Sequence, residues 1–194
     1  MPTRVTPLKP GESSDPKVNE ILTDVQQGGW WADPAMFGTI ARRPEALKAI
    51  VPVFESFFLN GLIEPHIFEM MRLKTGQIND CAYCQAVRTQ SVYDTVASKE
   101  EALFQRQPEA SEVLTEREAT AISFAERIAL DPHTVDDAFW KRLTGVFSDD
   151  EVVELLFACG IFNWGNKFNI TMQMDAAENS PYEAGMEYRE EALA

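Results

Sequence analysis

Helix-start signals recur along these 194 residues and strand-like alternation does not, which confines the chain to an all-α fold. Three positions pair a hydroxyl residue with an acid three places on, the reciprocal capping pattern: Ser98 with Glu101, Thr115 with Glu118, and Ser148 with Glu151. Glu118 and Glu151 are therefore read as caps rather than catalysts. Pro44 opens a helix that carries Leu47, Ile50, Val51, Phe54, Phe57 and Phe58 on its buried side. Pro65 opens the next, expected to end at Gly76. Asn79 or Asp80 can cap a further helix running through Cys81 and Cys84 towards Val96. The last long helix, over residues 149–174, is apolar nearly all round and is expected to be the most buried. Roughly seven or eight helices in a compact bundle result, with no repeat at solenoid periods.

The length suits a single domain. Residues 1–16, with Pro2, Pro7, Pro10, Gly11 and Pro16, read as an extended arm of the kind that often packs on a neighbouring subunit. Residues 17–175 form the helical domain, beginning with a short helix over 17–27 that Gly28-Gly29 ends. Residues 176–194 form an acidic tail. Trp30, Trp31, Met36 and Phe37 make an aromatic cluster suited to the core or to a subunit interface. Together with the arm, that cluster predicts a homo-oligomer.

A net charge of −14 argues against nucleic acid, since a phosphate-binding surface needs clustered Lys and Arg, and it opposes approach to anionic membranes. Residues 1–10 lack the apolar centre of a signal peptide. The most apolar run, residues 49–63, is interrupted by Pro52, Glu55 and Asn60 and is too short and polar to span a bilayer. Three cysteines in such a chain fit a reducing cytoplasm, where Cys-x-x-Cys is catalytic or metal-binding rather than a staple.

The chemistry concentrates in residues 69–88, EMMRLKTGQINDCAYCQAVR. Cys81 falls in the first turn of its expected helix, where free N–H groups and the helix dipole favour an anion. Cys84 lies one turn on, so the two sulfurs can approach disulfide distance, and Arg88 and Ser91 continue the same side. A guanidinium one turn from Cys84 would favour the thiolate, which is the attacking form. Glu69 and Arg72, three apart, share a helix face and can pair. If their helix packs antiparallel on the cysteine helix, Glu69 can reach the thiols as a general base, directly or through water. Other readings exist. A zinc site would need a second pair, yet Cys159 and the two histidines stand apart. The thiols could be inert core residues, as Cys159 is among Leu155, Leu156, Phe157 and Phe162. No residue implies a metal, flavin or haem.

At these residues the chain resembles the carboxymuconolactone decarboxylase superfamily, and within it the alkyl hydroperoxidase D-like, peroxidase-related branch. That pattern is a glutamate, twelve residues to Cys-x-x-Cys, then three residues and a histidine. Glu69, Cys81 and Cys84 match it, and Arg88 replaces the histidine. The likeness extends to residues 1–10, 37–59 and 114–175, the last including Phe162-Asn163-Trp164-Gly165-Asn166-Lys167. It implies an all-helical subunit assembling into trimers or hexamers and an enzyme whose thiols reduce peroxides. By position, Cys84 would attack peroxide and become sulfenic acid, Cys81 would resolve it as a disulfide, and Glu69 would help remove the thiol proton. A dithiol or lipoyl carrier would then restore the pair.

Arginine stays charged and cannot relay protons near neutral pH, so Arg88 would instead hold Cys84 ionised or bind an anionic substrate. His66, on the helix face of Glu69, could supply an imidazole, as could His133 in the loop that begins at Asp131. Two rival functions follow. One is a non-redox decarboxylase-like enzyme in which Arg72 and Arg88 hold a carboxylated metabolite. The other is a thiol-bearing stress-sensing or binding protein, with Phe68, Tyr83 and Tyr93 lining its ligand pocket.

Overall fold

Residues 67–77 are buried without interruption, so the helix that Pro65 begins is the axis around which the rest assembles. The structure is a computed structural model that describes residues 3–27 and 35–174. The Trp30-Trp31 pair, Gly28-Gly29 and the acidic tail lie outside the described residues. Among those described, ten α-helices follow one another: α1 Pro16–Gln27, α2 Ala35–Ile40, α3 Pro44–Phe58, α4 Pro65–Ile78, α5 Ala82–Ala86, α6 Tyr93–Ala97, α7 Glu100–Phe104, α8 Glu116–Leu130, α9 Asp137–Val146 and α10 Asp149–Met172. The fold is all-helical, as the sequence predicts.

Helix α4 packs chiefly on α8 and α10 and is apolar on two sides. Ile67, Phe68 and Met71 enter the larger core with Phe37, Phe54, Phe57, Phe124 and Phe162, and Cys159 is buried there as expected. Met70 and Leu73 enter a smaller core with Val96, Leu103 and Ile122. Burial pushes the Cys159 thiol far up, so it stays protonated.

The predicted capping boxes at Thr115–Glu118 and Ser148–Glu151 are both formed. The one at Ser98–Glu101 is not: α7 starts behind Lys99, and the Ser98 hydroxyl donates to the Thr95 carbonyl at 2.8 Å instead. Gly76 lies inside α4 rather than ending it. The single helix expected through Cys84 to Val96 is broken into α5, a 3₁₀ turn at Gln90–Val92, and α6. This division raises the helix number above the seven or eight expected. Helix α10 is not the most buried: Val153 (68% exposed), Leu156, Phe157, Trp164 and Ile170 face outward. Its all-round apolar sequence serves two faces, one in the core and one on the surface.

Residues 3–15 lie along their own chain. The Arg4 N–H donates to the Met172 carbonyl, the Leu8 N–H to the Gly38 carbonyl, and Arg42 Nε to the Thr6 carbonyl. The arm thereby joins the end of α10 to α2. No helix among the described residues is long and apolar enough to cross a membrane.

Candidate active site

Where α4 ends, the chain turns sharply to deliver Cys81. Asp80 adopts φ 54°, a left-handed conformation that aspartate tolerates better than most residues, and the Cys81 N–H returns to the Gly76 carbonyl at 2.9 Å. Cys81, rather than Asn79 or Asp80, is the N-cap of α5: its Sγ accepts the Cys84 N–H at 3.3 Å. Cys81 and Cys84 are joined as a disulfide with Cα atoms 5.2 Å apart. Glycine at 76 permits the close packing this needs, because a β carbon there would lie 3.3 Å from the Cys84 β carbon.

Helix α5 stops after one turn because a side chain from α4 occupies its carbonyls. Arg72 Nη1 donates to the Cys84 carbonyl at 2.7 Å, and Nη2 donates to the Val87 carbonyl. A continuing helix would have used the Cys84 carbonyl for the residue four places on. Val87 and Thr89 are accordingly extended, and the chain leaves the helix path. Arg72 is held in turn by Glu69, with Nε 2.8 Å from Oε2 and Nη2 2.7 Å from Oε1. The remaining sites on that carboxylate receive the Thr89 N–H at 3.0 Å and the Thr89 hydroxyl at 2.8 Å.

This arrangement changes the expected role of Glu69. Burial alone would raise its pKa, but the Arg72 charge and the bonds from Arg72 and Thr89 outweigh burial and hold the carboxyl below the usual carboxylate value. Four donors fill it, none of them a thiol. A carboxylate so engaged is a weak proton acceptor and a strong clamp.

Arg88 is also displaced from its expected place. Because α5 ends at Ala86, Arg88 does not sit one turn above Cys84; its guanidinium donates to Glu100 at 2.9 Å and pins the loop to α7. The cation beside Cys84 is Arg72. His66 is turned away as well, with Nε2 3.2 Å from Glu118, a carboxylate that also receives Lys99 Nζ at 2.7 Å. His133 lies in the exposed turn Pro132–Thr134 between α8 and α9.

Cys84 opens onto a cavity of about 20 Å³, room for roughly one water molecule. Met36, Phe54 and Phe162 make it apolar, while Arg72, Asn166 and Asn169 supply its polar groups. Tyr83 lines it too, and its hydroxyl accepts the Met36 N–H at 3.3 Å, fixing α2 against α5. Of the other two aromatics singled out, Phe68 is wholly core and Tyr93 is half exposed. Asn169, not singled out in the sequence, also belongs to the site: its Nδ2 lies 3.4 Å from Cys84 Sγ. The available signal was the spacing of Asn163, Asn166 and Asn169, which places three amides along one side of a helix that approaches the thiols.

Comparison with known proteins agrees with this architecture. No protein-family model matches the chain. YnjA, an uncharacterized protein of Escherichia coli K12, is 25% identical over 114 residues, spanning 59% of this chain and 63% of that protein. The match thus covers less than two thirds of that relative's length. Among solved structures, the debrominase Bmp8, as a Cys-to-Ala variant in complex with 2,3,4-tribromopyrrole, superposes with TM-score 0.70 at 19% identity, covering 96% of this chain and 95% of that one. A peroxidase-related protein from Silicibacter sp. TM1040 gives TM-score 0.69 at 18% identity over 89% of this chain and 92% of its own. The alkylhydroperoxidase AhpD core protein from Ralstonia eutropha JMP134 gives 0.65 at 18% over 82% and 85%. The chain therefore has the AhpD-like helical fold.

Proposed function

We propose that the chain is a thiol-dependent peroxidase, with a reversible Cys81–Cys84 disulfide as its two-electron store. The observation that carries this reading is the position of Cys84: it lines a small, largely apolar cavity together with a guanidinium, and its sulfur is bonded to a second cysteine. In the reduced protein, the Cys84 thiolate attacks one oxygen of a hydroperoxide. The O–O bond breaks, Cys84 becomes sulfenic acid, and the leaving alkoxide or hydroxide takes a proton. The Cys81 thiol then displaces water from the sulfenic sulfur and closes the disulfide. A dithiol or lipoyl carrier returns both electrons. The chain works in the cytoplasm, where such reductants are kept reduced.

The non-redox alternative has less support, because both arginines it would use are engaged within the protein. Arg72 serves Glu69 and two carbonyls, and Arg88 serves Glu100. The likeness to Bmp8 raises reductive removal of bromine as a second use of the same thiols. The size of the cavity favours peroxide, since a tribrominated ring would enter only after the site opened. A homo-oligomer also belongs to this reading. Each large apolar side chain on the outer face of α10, already about half buried, would gain roughly 0.5–2 kcal/mol on full burial against a neighbouring subunit.

The deciding experiment exposes the reduced chain to stoichiometric hydrogen peroxide and maps its cysteines by mass spectrometry. One Cys81–Cys84 disulfide should form per peroxide consumed, and dithiothreitol should restore both thiols for a second cycle. Cysteines that stay free while peroxide persists would end the proposal.

Gly165 offers a separate check of the cavity. It lines the space within α10, and a β carbon there would meet no atom within 4 Å. Gly165→Ala should raise stability by roughly 0.5–1 kcal/mol, the usual gain for a helix interior, while its methyl obstructs the cavity and slows the peroxide reaction several-fold. Equal peroxide rates in the two proteins would place the substrate elsewhere.

A further inference from the structure

We infer that Asn169 is a catalytic residue of the thiol site: its amide NH₂ stabilises the Cys84 thiolate, and its carbonyl oxygen receives the hydroxyl hydrogen of the hydroperoxide. The inference rests on the peroxidase reading and adds a substrate-binding group to it.

Asn169 sits on α10, 3% exposed, and lines the cavity onto which Cys84 opens. The two ends of its side chain differ. Nδ2 donates to Cys84 Sγ at 3.4 Å. Oδ1 is buried with no hydrogen-bond partner. A buried carbonyl acceptor is costly to leave empty, and native proteins rarely do so without a functional reason. The neighbouring amides show the contrast. Asn163 and Asn166 stand two turns and one turn earlier on α10, and both spend their oxygens on Asn79 Nδ2, at 2.8 Å and 3.0 Å. Asn163 Nδ2 goes to the Cys159 carbonyl at 2.9 Å. These two fasten α10 to the end of α4, whereas Asn169 gives its donor to the Cys84 sulfur and leaves its acceptor open.

A hydroperoxide needs that complement. Its terminal oxygen carries the hydrogen and is also the atom a thiolate attacks. Arg72 can only donate, so it cannot hold that hydrogen. Asn169 Oδ1 can. Because the two ends of one amide lie side by side in a plane, a hydroxyl on Oδ1 rests next to the sulfur on Nδ2. Attack then forms the S–O bond and breaks the O–O bond. The hydrogen stays on the oxygen that becomes the sulfenic hydroxyl, and the leaving oxygen takes a proton from water. Sulfur is oxidised by two electrons and the peroxide is reduced by two. A donor fixed on the sulfur before reaction lowers the thiol pKa without blocking the face the peroxide approaches.

The test compares the full chain with Asn169→Leu, which keeps the branched outline and removes both polar ends, and with Asn169→Ala. Circular dichroism and thermal melting check that each is folded. Two readouts are taken on reduced protein: iodoacetamide alkylation of Cys84 as a function of pH, and the second-order rate with hydrogen peroxide at a pH where Cys84 is fully ionised. Loss of the donor should move the alkylation curve upward, slowing the reaction about tenfold or more below the shifted pKa. Loss of the acceptor should slow the peroxide reaction about tenfold even at full ionisation. A helix residue with a merely structural role would move neither in a folded variant. Superimposable alkylation curves overturn the donor role, and equal peroxide rates at full ionisation overturn the acceptor role. Wild-type protein inert to peroxide would overturn both the acceptor role and the peroxidase reading, with the donor role still decided by alkylation alone.

Discussion

Arg72→Ala should destabilise the protein by about 3–5 kcal/mol, the cost of leaving one member of a buried ion pair without its partner. Three losses coincide in this substitution. The buried Glu69 carboxylate keeps only its bonds from Thr89, and the Cys84 and Val87 carbonyls lose the donor that ends α5. For a chain of this size the melting midpoint should fall by roughly 6–20 °C. The sign of the pH dependence identifies the cause. In the wild type the Glu69 pKa is lowered, so its contribution is full above the ordinary carboxylate value and is lost as pH falls through the lower folded value. In the variant, burial without the Arg72 charge raises that pKa, so protonating Glu69 in acid should relieve the variant where it weakens the wild type. Glu64, Glu118 and Glu151 also have lowered pKa values, so acid weakens both proteins through them and only the difference between the two curves isolates Glu69. Unfolding free energies from denaturant titration that agree within about 1 kcal/mol at neutral pH would show that this pair is no clamp.

The same clamp explains what could and could not be read from the sequence. Glu69, Arg72, Cys81 and Cys84 were legible because their relations are local: an i, i+3 ion pair and a Cys-x-x-Cys at a helix start. The helix break at Val87 was not. Residues 85–92 contain no glycine or proline, and the stop comes from a guanidinium on another helix, a tertiary contact with no local signal. Arg88 was misplaced for that reason alone, since its expected position assumed an unbroken helix. With α5 ended, the positive charge beside Cys84 comes from Arg72, and Glu69 is spent on holding it. Asn169 was missed for the complementary reason, because an amide eighty-five positions from Cys84 acquires meaning only once α10 crosses α5. The apolar periodicity of α10 was visible but ambiguous, since a helix that is apolar all round can be buried on every side or can present one face to a partner.

Cys84→Ser should abolish peroxide consumption, a loss of at least roughly 10³-fold, whereas Cys81→Ser should permit one turnover and leave sulfenic acid on Cys84. The two thiols compete for the nucleophile's role on different grounds. Cys81 holds the N-cap position, where its sulfur accepts the Cys84 N–H, a contact that would favour its thiolate once the disulfide is reduced. Cys84 has the cavity, the Asn169 amide and the neighbouring guanidinium. Access decides between them, because an oxidant must touch the sulfur it oxidises and Cys81 is fully buried. The N-cap then suits Cys81 to its other task. When an external dithiol attacks the disulfide at the cavity-facing Cys84, Cys81 departs as a thiolate, and a sulfur stabilised as an anion leaves faster. On the proposed peroxidase reading both half-reactions pass through Cys84, with Cys81 resolving the sulfenic acid in one direction and leaving in the other. Single-turnover peroxide assays with sulfenic-acid trapping on the two variants separate the roles. A sulfenic acid trapped on Cys81 in the Cys84→Ser protein, at a rate matching the wild type, would reverse the assignment and require peroxide to enter from the α4 side of the disulfide.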